Sequence, residues 1–347
     1  MIGERRRSLR RRVRYRSDVA SSHVPALTWR PLLGEDAEAL HALRRAVETA
    51  DALPFRISLA ELQHELGNPN GPLELDTLGA FTGDGRLVAF GRVRARLAGT
   101  SGRVNLDGDV HPAMRRQGLG TRLLAWSEAR ARAMLAEGAG GRGELLVECD
   151  ARAVDRPALF RAAGFRPVRW STTMRRRLEA GASPTGLPAP YHLATWAPEL
   201  DAATHAAFED AFRGHWGHQP LTAQAWRHAF AEAPTFRPDL SRLALDGDRV
   251  AALVLVSVYP DDEEATGVRA AWLDLIGTRR PDRRRGLASG LVAHTLAAAA
   301  EAGLSEAALG VDMENPSGAL GLYEQLGFSR WWQFVHWAKP CGEAVDA

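Results

Sequence analysis

The chain has 347 residues, of which 45% are hydrophobic and 25% charged, with a net charge of +2. This composition is ample for globular cores, and the length suggests two domains. No apolar run approaches the ~20 residues needed to cross a bilayer. The two cysteines, Cys149 and Cys341, form no metal-binding or disulfide pattern, which favours a reducing cytoplasmic location.

Positive charge is concentrated at the N-terminus. Residues 1–18 carry eight arginines against Glu4 and Asp18, a net +6, which leaves −4 for the rest of a chain whose total is +2. The segment has no apolar core, so it is not a secretory signal. Like-charged runs of this kind are usually disordered, and we expect a basic, disordered tail over residues 1–24. Only this tail has a charge suited to nucleic acid, and no membrane partner is expected.

The pattern from residue 25 to residue 178 predicts one domain. Alternating apolar residues indicate strands, and apolar residues spaced by three and four indicate helices. Gly164 is suited to the C′ position that ends a helix. In chain order we predict a strand (LTWRPL), two helices (EDAEALHALRRAVETA and SLAELQHELG), three strands (LDTLGAFT, RLVAFGRVRARL and GRVNLDGDVHP), a long helix from about Gly118 to Ala136, a strand (GELLVECD), a short helix (RPALFRAAGF) and a strand (RPVRWSTTMRRRL).

The same order of elements recurs over residues 189–340. A linker rich in Pro, Gly, Ala and Ser precedes it at 179–188, and a short tail follows at 341–347. The long helices begin 168 residues apart, at Gly118 and Gly286, and the Gly-Phe pairs that end the short helices are 163 residues apart. We therefore expect a duplicated domain of the α/β class, with strands and helices combined in a mixed sheet.

A short motif opens each long helix. The pattern Arg-x-x-Gly-x-Gly/Ala matches RRQGLG at 115–120 and RRRGLA at 283–288, each time between a strand and a helix. The first turn of a helix has unpaired amides and a positive dipole end, and glycine lets a phosphate approach the backbone. The motif is therefore either an anion site or a solvated basic loop before a core helix.

The second half continues with VDMENPSGALGLYEQLGF, in which Asn315 precedes Tyr323 by eight residues. This order of strand, Arg-x-x-Gly-x-Gly/Ala loop, helix, strand and Asn…Tyr…Gly-Phe resembles the GCN5-related N-acetyltransferase (GNAT) superfamily. The resemblance covers both halves, and it implies two tandem domains of the GNAT acyl-CoA N-acyltransferase fold. It implies acetyl-CoA, or another short acyl-CoA, as co-substrate between two splayed parallel strands, and no metal.

The resemblance also assigns the residues that contact the co-substrate. The pyrophosphate would lie on the helix N-terminus, and the pantetheine arm would pair with the preceding strand. In the second half the implied residues are Ile276, Gly277, Thr278, Arg283, Arg284, Arg285, Gly286, Leu287, Ala288, Ser289 and Asn315. In the first half they are Val110, Arg115, Arg116, Gln117, Gly118, Leu119 and Gly120.

Two residues are candidates for catalysis. Tyr323 occupies the family position of the acid that protonates the departing thiolate, although a tyrosine on an apolar helix is also a common core residue. Asp274, in a strand, is either the general base or a structural hydrogen-bond acceptor. Asn315 either contacts the co-substrate or caps a helix that begins at Pro316.

A loop between the first two helices of the second half covers the acceptor region in the family. In FRGHWGHQPLT, His215, Trp216 and His218 are candidates to orient or deprotonate the acceptor. The alternative is a polar loop whose Trp216 packs on the core.

The first half departs from the pattern. Phe160 stands where the second half has Tyr323, and a phenyl ring donates no proton. We expect the first half to be a binding or scaffolding copy and the second half to be catalytic. The predicted function is acetyl-CoA-dependent acetylation of a small-molecule amine or free amino group, by a monomer or homodimer. The alternatives are a non-catalytic CoA-binding or interaction protein, and an acetyltransferase of protein N-termini or lysines.

Overall fold

The computed structural model describes residues 26–69, 71–98, 101–181, 184–216, 218–315 and 318–342. The tail expected at residues 1–24 lies outside the described residues, as does most of the tail expected at 341–347.

Each half contains the predicted elements in the predicted order, which confirms the α/β class with a mixed sheet. Each also has one short helix that was not predicted, α3 and α8 below. The first half comprises β1 (Thr28–Arg30), α1 (Ala37–Ala50), α2 (Leu59–Leu66), α3 (Leu73–Asp76), β2 (Thr77–Phe81), β3 (Leu87–Ala98), β4 (Ser101–Val110), α4 (Leu119–Gly138), β5 (Gly143–Asp150), α5 (Asp155–Ala162) and β6 (Arg166–Arg177). The second half comprises β7 (His192–Thr195), α6 (Asp201–Phe212), α7 (Ala223–Ala229), β8 (Arg242–Asp246), β9 (Arg249–Ser257), α8 (Asp262–Thr266), β10 (Ala270–Thr278), α9 (Leu287–Glu301), β11 (Glu306–Asp312), α10 (Ala319–Gln325) and β12 (Ser329–Cys341).

Local sequence explains where several helices begin and end. Helix α2 begins with a capping box, in which the Glu61 N–H donates to Ser58 Oγ at 3.2 Å and the Ser58 N–H donates to Glu61 Oε2 at 3.0 Å. Gly164 and Gly327 follow α5 and α10 with φ of +87° and +80°. These left-handed conformations confirm the predicted C′ glycines.

The twelve strands of the described residues form one continuous sheet. Its order is β1-β2-β3-β4-β5-β12-β6-β11-β10-β9-β8-β7. The last strand of each half is therefore exchanged. Strand β12 of the second half pairs antiparallel with β5 of the first, and β6 of the first half pairs antiparallel with β11 of the second. The two exchanged strands also pair with each other at the centre.

The exchange places side chains of each half in the core of the other. Trp337 of β12 is buried in the first half's core, with its ring centroid 5.9 Å from that of Phe160. Met174 of β6 is buried in the second half's core. The predicted division at residues 179–188 stays a prediction, and it did not include this exchange.

Both halves contain an opening between two parallel strands. Strands β4 and β5 pair only from 102–105 to 143–146, and β10 and β11 pair only from 270–272 to 306–308. Beyond these points β4 and β10 bond only to β3 and β9, respectively. Their free backbone edges therefore line a wedge-shaped opening. In each half this opening ends at the Arg-x-x-Gly-x-Gly/Ala loop.

The exchange predicts that Trp337→Ala destabilises the first half, although Trp337 belongs to the last strand of the second. Loss of a buried tryptophan costs about 3–5 kcal/mol, and the β5 amides should lose hydrogen-exchange protection first. The matched control is Trp170→Ala, because Trp170 is 40% exposed and should cost under ~1 kcal/mol. Urea unfolding gives the free energies. Loss of protection in β11 with β5 unaffected would contradict the exchanged arrangement.

Candidate active site

The two motif loops share one backbone conformation. Arg116 and Arg284 have φ of +63° and +61°, and Gly118 and Gly286 have φ of +82° and +79°. Positive φ is unfavourable for a non-glycine residue, so its recurrence at both arginines marks a constrained loop. Alternating left- and right-handed residues turn successive amides to one side, and such concavities bind anions.

The helix that follows each loop adds free amides. In α9 the N–H groups of Leu287, Ala288 and Ser289 have no backbone acceptor within the described part of the chain. A Cβ on Gly286 would lie 4.0 Å from its nearest neighbour, Ser289 Oγ, so the space above the loop is open. The second loop therefore fits a phosphate group, which is what CoA would present there.

The first arginine of each motif braces the loop from within the protein. Arg283 donates to Thr278 O at 3.2 Å and to Ala211 O at 2.7 Å. Arg115 donates to Val110 O at 3.3 Å and forms a bidentate pair with the Asp51 carboxylate. These guanidinium groups hold the strand end against the loop.

The other two arginines of the second loop differ in whether their side chains are bonded to the protein. Arg285 donates to the Tyr191 hydroxyl at 2.9 Å, and Tyr191 in turn donates to Asp282. Arg284 is exposed, and its side chain has no ion pair within the described residues. Arg284 is therefore the loop side chain left available for an anion.

The strand that precedes the second loop presents its backbone to the opening. Ile276, Gly277 and Thr278 pair with β9 on one edge only. Gly277 also allows a close approach of α6, because a Cβ there would lie 3.0 Å from the Phe212 ring. Pairing of this free edge with the pantetheine arm stays a prediction.

Tyr323 lies on α10, which packs on β11, the second strand of the opening. It is 7% exposed, and its hydroxyl has no hydrogen-bond partner among the described residues. Burial raises the pKa of Tyr323 to about 12. The side chain therefore remains a protonated donor whose hydroxyl has no competing protein acceptor.

Asn315 lies in the turn between β11 and α10. Helix α10 begins at Ala319 with Gly318 at its N-cap, and the alternative that Asn315 caps a helix beginning at Pro316 stays a prediction. Pro316, where the helix was expected to begin, lies outside the described residues. Contact with the co-substrate stays a prediction for Asn315.

Asp274 forms a β-bulge in β10. Leu273 and Leu275 pair with consecutive residues of β9, which leaves Asp274 as the extra residue. Bulges re-aim side chains and are common beside active sites. Strand β4 of the first half pairs with β3 without any such shift, so the bulge distinguishes the second half.

The Asp274 carboxylate lies in a cleft. The side chain of Asp274 is exposed to solvent at the mouth of the cleft. Desolvation by the surrounding protein nevertheless raises its pKa to about 7. Hydrogen bonds from Ser257 and Tyr259 oppose this rise, and the nearby Glu61 adds to it. The Tyr259 hydroxyl lies 3.4 Å from both carboxylate oxygens. A carboxylate that is accessible and titrates near neutrality is suited to accept a proton.

The short helix of the first half places an aromatic ring as α10 does, but that ring has no hydroxyl. The rings of Phe160 and Phe165 are 6.2 Å apart, and so are those of Tyr323 and Phe328. Phe160 thus occupies the place of Tyr323 without a hydroxyl, and it is buried in the core.

Two arginines bridge the opening of the first half. Arg156 of α5 donates to Gly108 O at 3.3 Å and pairs with the buried Asp109. Gly108 corresponds to Ile276 by the 168-residue offset between the loops, so Arg156 occupies the predicted pairing position of the pantetheine arm. Arg116 pairs with Asp155 at 3.0 Å, which also joins the loop to α5.

The predicted acceptor residues are not gathered at Asp274. His218 lies 3.3 Å from Glu209, against the ring of Phe208. Trp216 lies between the guanidinium groups of Arg103 and Arg169, 5.0 and 5.1 Å from its ring centroid.

His215 packs on Phe212. Burial lowers its pKa, and Arg283 lowers it further, which places His215 nearer the phosphate loop than the cleft. The acceptor role of the three residues stays a prediction, and the contacts of Trp216 favour a packing role between the halves.

Sequence reasoning missed the contribution of the first half to this cleft. The segment that leads into α2 and α2 itself lie against the second half, with Phe55 packed on Trp272 and Trp331. The capping-box pattern predicts only that α2 begins at Leu59, and no local pattern indicates what lies opposite it.

The described residues contain no group of three or more His, Cys, Asp or Glu placed to hold a metal ion. Within the same residues no helix has the length and apolar character to cross a membrane.

Comparisons with known proteins agree with this architecture. Residues 202–328 match the acetyltransferase (GNAT) family. The mycothiol acetyltransferase of Thermobispora bispora is 32% identical over 228 residues, which are 64% of this chain and 71% of that protein.

Two solved structures extend the likeness over both halves. The GCN5-related N-acetyltransferase from Sphaerobacter thermophilus is similar with a TM-score of 0.69 and 25% identity, over 92% of this chain and 98% of its own. A tandem GNAT protein from the clavulanic acid biosynthesis pathway is similar with a TM-score of 0.63 and 18% identity, over 92% and 100%. The loops, the openings and these matches identify the chain as a tandem acyltransferase that belongs to the GNAT acetyltransferase family.

Proposed function

We propose that the chain transfers an acetyl group from acetyl-CoA to the amino group of a small molecule, at the opening between β10 and β11. The observation that carries this proposal is the Tyr323 side chain, which is 7% exposed on the helix that packs against β11 and whose hydroxyl has no partner among the described residues. The phosphate loop with Gly286 supports binding of CoA in the same half. The name of the T. bispora relative, mycothiol acetyltransferase, supports a small acceptor over a protein.

The residues divide the work of the reaction. Acetyl-CoA supplies a thioester; the free β10 edge and the amides at the start of α9 hold it. As the acceptor nitrogen bonds to the carbonyl carbon and the carbon–sulfur bond breaks, Tyr323 gives its proton to sulfur. The desolvation that raises the pKa of Tyr323 would also raise the pKa of a CoA thiol beside it. The pKa values of the tyrosine hydroxyl and the thiol therefore stay close enough for proton transfer. A backbone N–H of β10 stabilises the oxyanion.

Asp274 accepts the proton that the acceptor nitrogen loses, directly or through water. This assignment is supported by its place at the bulge, its access to solvent and its pKa of about 7. A base with this pKa is half ionised at neutral pH, which suits proton abstraction under those conditions.

Turnover is assigned to the second half alone. The first half lacks the tyrosine hydroxyl and the bulge, and Arg156 and Arg116 bridge its opening. Binding of a phosphate needs only amides, a glycine and positive charge, whereas protonation of a thiolate needs a donor at one place. The chemistry is therefore more easily lost after duplication than the loop.

We expect Tyr323→Phe to lower kcat by about 10²–10⁴-fold, because it removes the acid and keeps the ring. Affinity for acetyl-CoA should be nearly unchanged, since the hydroxyl makes no contact that holds the loop. Steady-state thiol release and calorimetric binding measure the two quantities. Wild-type turnover in the variant would show that another group or solvent protonates sulfur.

A matched pair of loop variants tests the division of labour. Gly286→Glu should abolish acetyl-CoA binding in the second half and all turnover, because it places a negative charge at the phosphate position. Gly118→Glu should leave turnover largely intact. Both glycines have nearly the same φ, +79° and +82°, so backbone strain is matched between the variants. If Gly118→Glu stops turnover in a folded protein that still binds acetyl-CoA at the second site, the first half is catalytic or tightly coupled.

The rate should depend on pH through Asp274. A base acts when ionised, so kcat/KM should rise with pH up to about 7 and then level off. Asp274→Asn should remove this limb and lower the rate. Because the folded-state pKa is raised, ionised Asp274 destabilises the fold above that pH. The variant should therefore have a higher Tm than wild type at pH 8 and a smaller difference at pH 5. An unchanged pH–rate profile would exclude Asp274 as the base.

A further inference from the structure

Helix α2 of the first half forms one side of the cleft that contains Asp274. Phe55, before the helix, packs edge-on against Trp272 of β10 with ring centroids 5.8 Å apart, and the Arg56 N–H donates to a carboxylate of α8 at 2.7 Å. Near the other end, the His64 ring stacks on His228 of α7 at 3.9 Å, and its Nε2 lies 2.8 Å from the His228 carbonyl. Contacts near both ends therefore fix α2 against the second half.

Glu61, in the first turn of α2, lies near Asp274. Its negative charge helps to raise the pKa values of Asp274 and Tyr259. Burial raises the pKa of Glu61 itself, and Glu65 and Asp261 add to that effect. Glu65 lies one turn further along α2, and Asp261 is the N-cap residue of α8, so Glu61 has carboxylates of both halves near it.

One oxygen of Glu61 is committed to the helix. Its Oε2 accepts from the Ser58 N–H and hydroxyl at 3.0 and 2.7 Å. Its Oε1 accepts no hydrogen bond, and the carboxylate forms no ion pair, among the described residues. By contrast, Glu65 is paired with Arg92 at 2.7 Å. Glu61 therefore carries a charge that no described cation neutralises.

Aromatic rings border the same cleft. Tyr259 and Trp272 are perpendicular with centroids 5.9 Å apart, and the Tyr259 hydroxyl lies beside Asp274. Carboxylates combined with aromatic faces are the groups with which proteins bind organic cations. In the proposed function Asp274 accepts the proton of the reacting nitrogen. The charge of Glu61 is therefore available to bind a second cationic group of the acceptor.

We propose that Glu61 makes the site selective for acceptors that carry a second positive charge besides the reacting amine. The inference rests on the proposed function, in which the nitrogen bonds to the acetyl carbon, sulfur leaves with the proton of Tyr323, and Asp274 takes the nitrogen's proton. Glu61 takes no part in these transfers. It binds the distal ammonium and so determines which amine is presented.

The test compares two acceptors of equal length, butane-1,4-diamine and pentylamine, which differ by an ammonium in place of a methyl group. Wild type should have the higher kcat/KM for the diamine. Glu61→Gln should lower kcat/KM for the diamine about 10- to 100-fold, mainly through KM, and change the value for pentylamine under threefold. Gln at this position still completes a capping box, so the helix start is preserved.

Two control variants separate charge from fold. Glu38→Gln removes one exposed carboxylate of the first half and should change neither acceptor's rate. Ser58→Ala breaks the capping box while Glu61 keeps its charge, and it should lower Tm without reversing the preference for the diamine. Equal loss for both acceptors in Glu61→Gln, or no loss for either, would overturn the inference while the proposed function stands. A wild type that binds acetyl-CoA but releases no thiol with any amine would overturn the proposed function and the inference with it.

Discussion

The central pairing of β6 with β12 is the constraint on which the rest of the structure depends. Each of these strands is hydrogen-bonded to a strand of the opposite half on its outer edge and to the other exchanged strand on its inner edge. A strand edge left unpaired is a liability for a protein, and here each half closes the edge of the other. The position of α2 over the cleft of the second half is therefore fixed by the sheet as well as by its own contacts.

The two openings share one backbone plan and differ in the side chains that line them. Both loops have nearly the same positive φ values, so the motif loop has one backbone conformation in each half. The difference lies in side chains. In the first half Asp109 is almost fully buried between Arg44 and Arg156, with which it forms ion pairs. Buried charges of this kind must be paired, so Arg156 is held at the edge of β4 by its ion pair with Asp109.

Much of the fold was predictable from sequence because it follows from local patterns. Alternation and helical periodicity gave the order of strands and helices, and Gly164 and Gly327 marked the ends of two helices by their need for positive φ. The loop motif with its neighbours located the opening of the second half. The correspondence of Phe160 with Tyr323 also followed from spacing, and the matching ring distances agree with it.

The exchanged strands and the contents of the cleft were not predictable in this way. Strand pairing between β5 and β12 joins residues almost 200 positions apart, and no local pattern distinguishes it from pairing within a half. The motif also does not tell which way a side chain points, so Arg283 and Arg115 were expected at the co-substrate although they brace the loop. The proximity of Glu61 to Asp274 depends on how the halves pack. Its sequence signal, a capping box, indicates only a helix start.

The exchanged strands also determine the order in which the protein can be completed during synthesis. When β6 emerges from the ribosome, the sheet of the first half still lacks the strand that joins it to β5, because that strand is the last one in the chain. At about 5–20 residues per second, the ~160 residues between β6 and the end of β12 take roughly 8–30 s to appear. During that interval the edge of β5 lacks its native partner, and the core of the first half lacks Trp337. The first half can therefore reach its final packing only after β12 has been made.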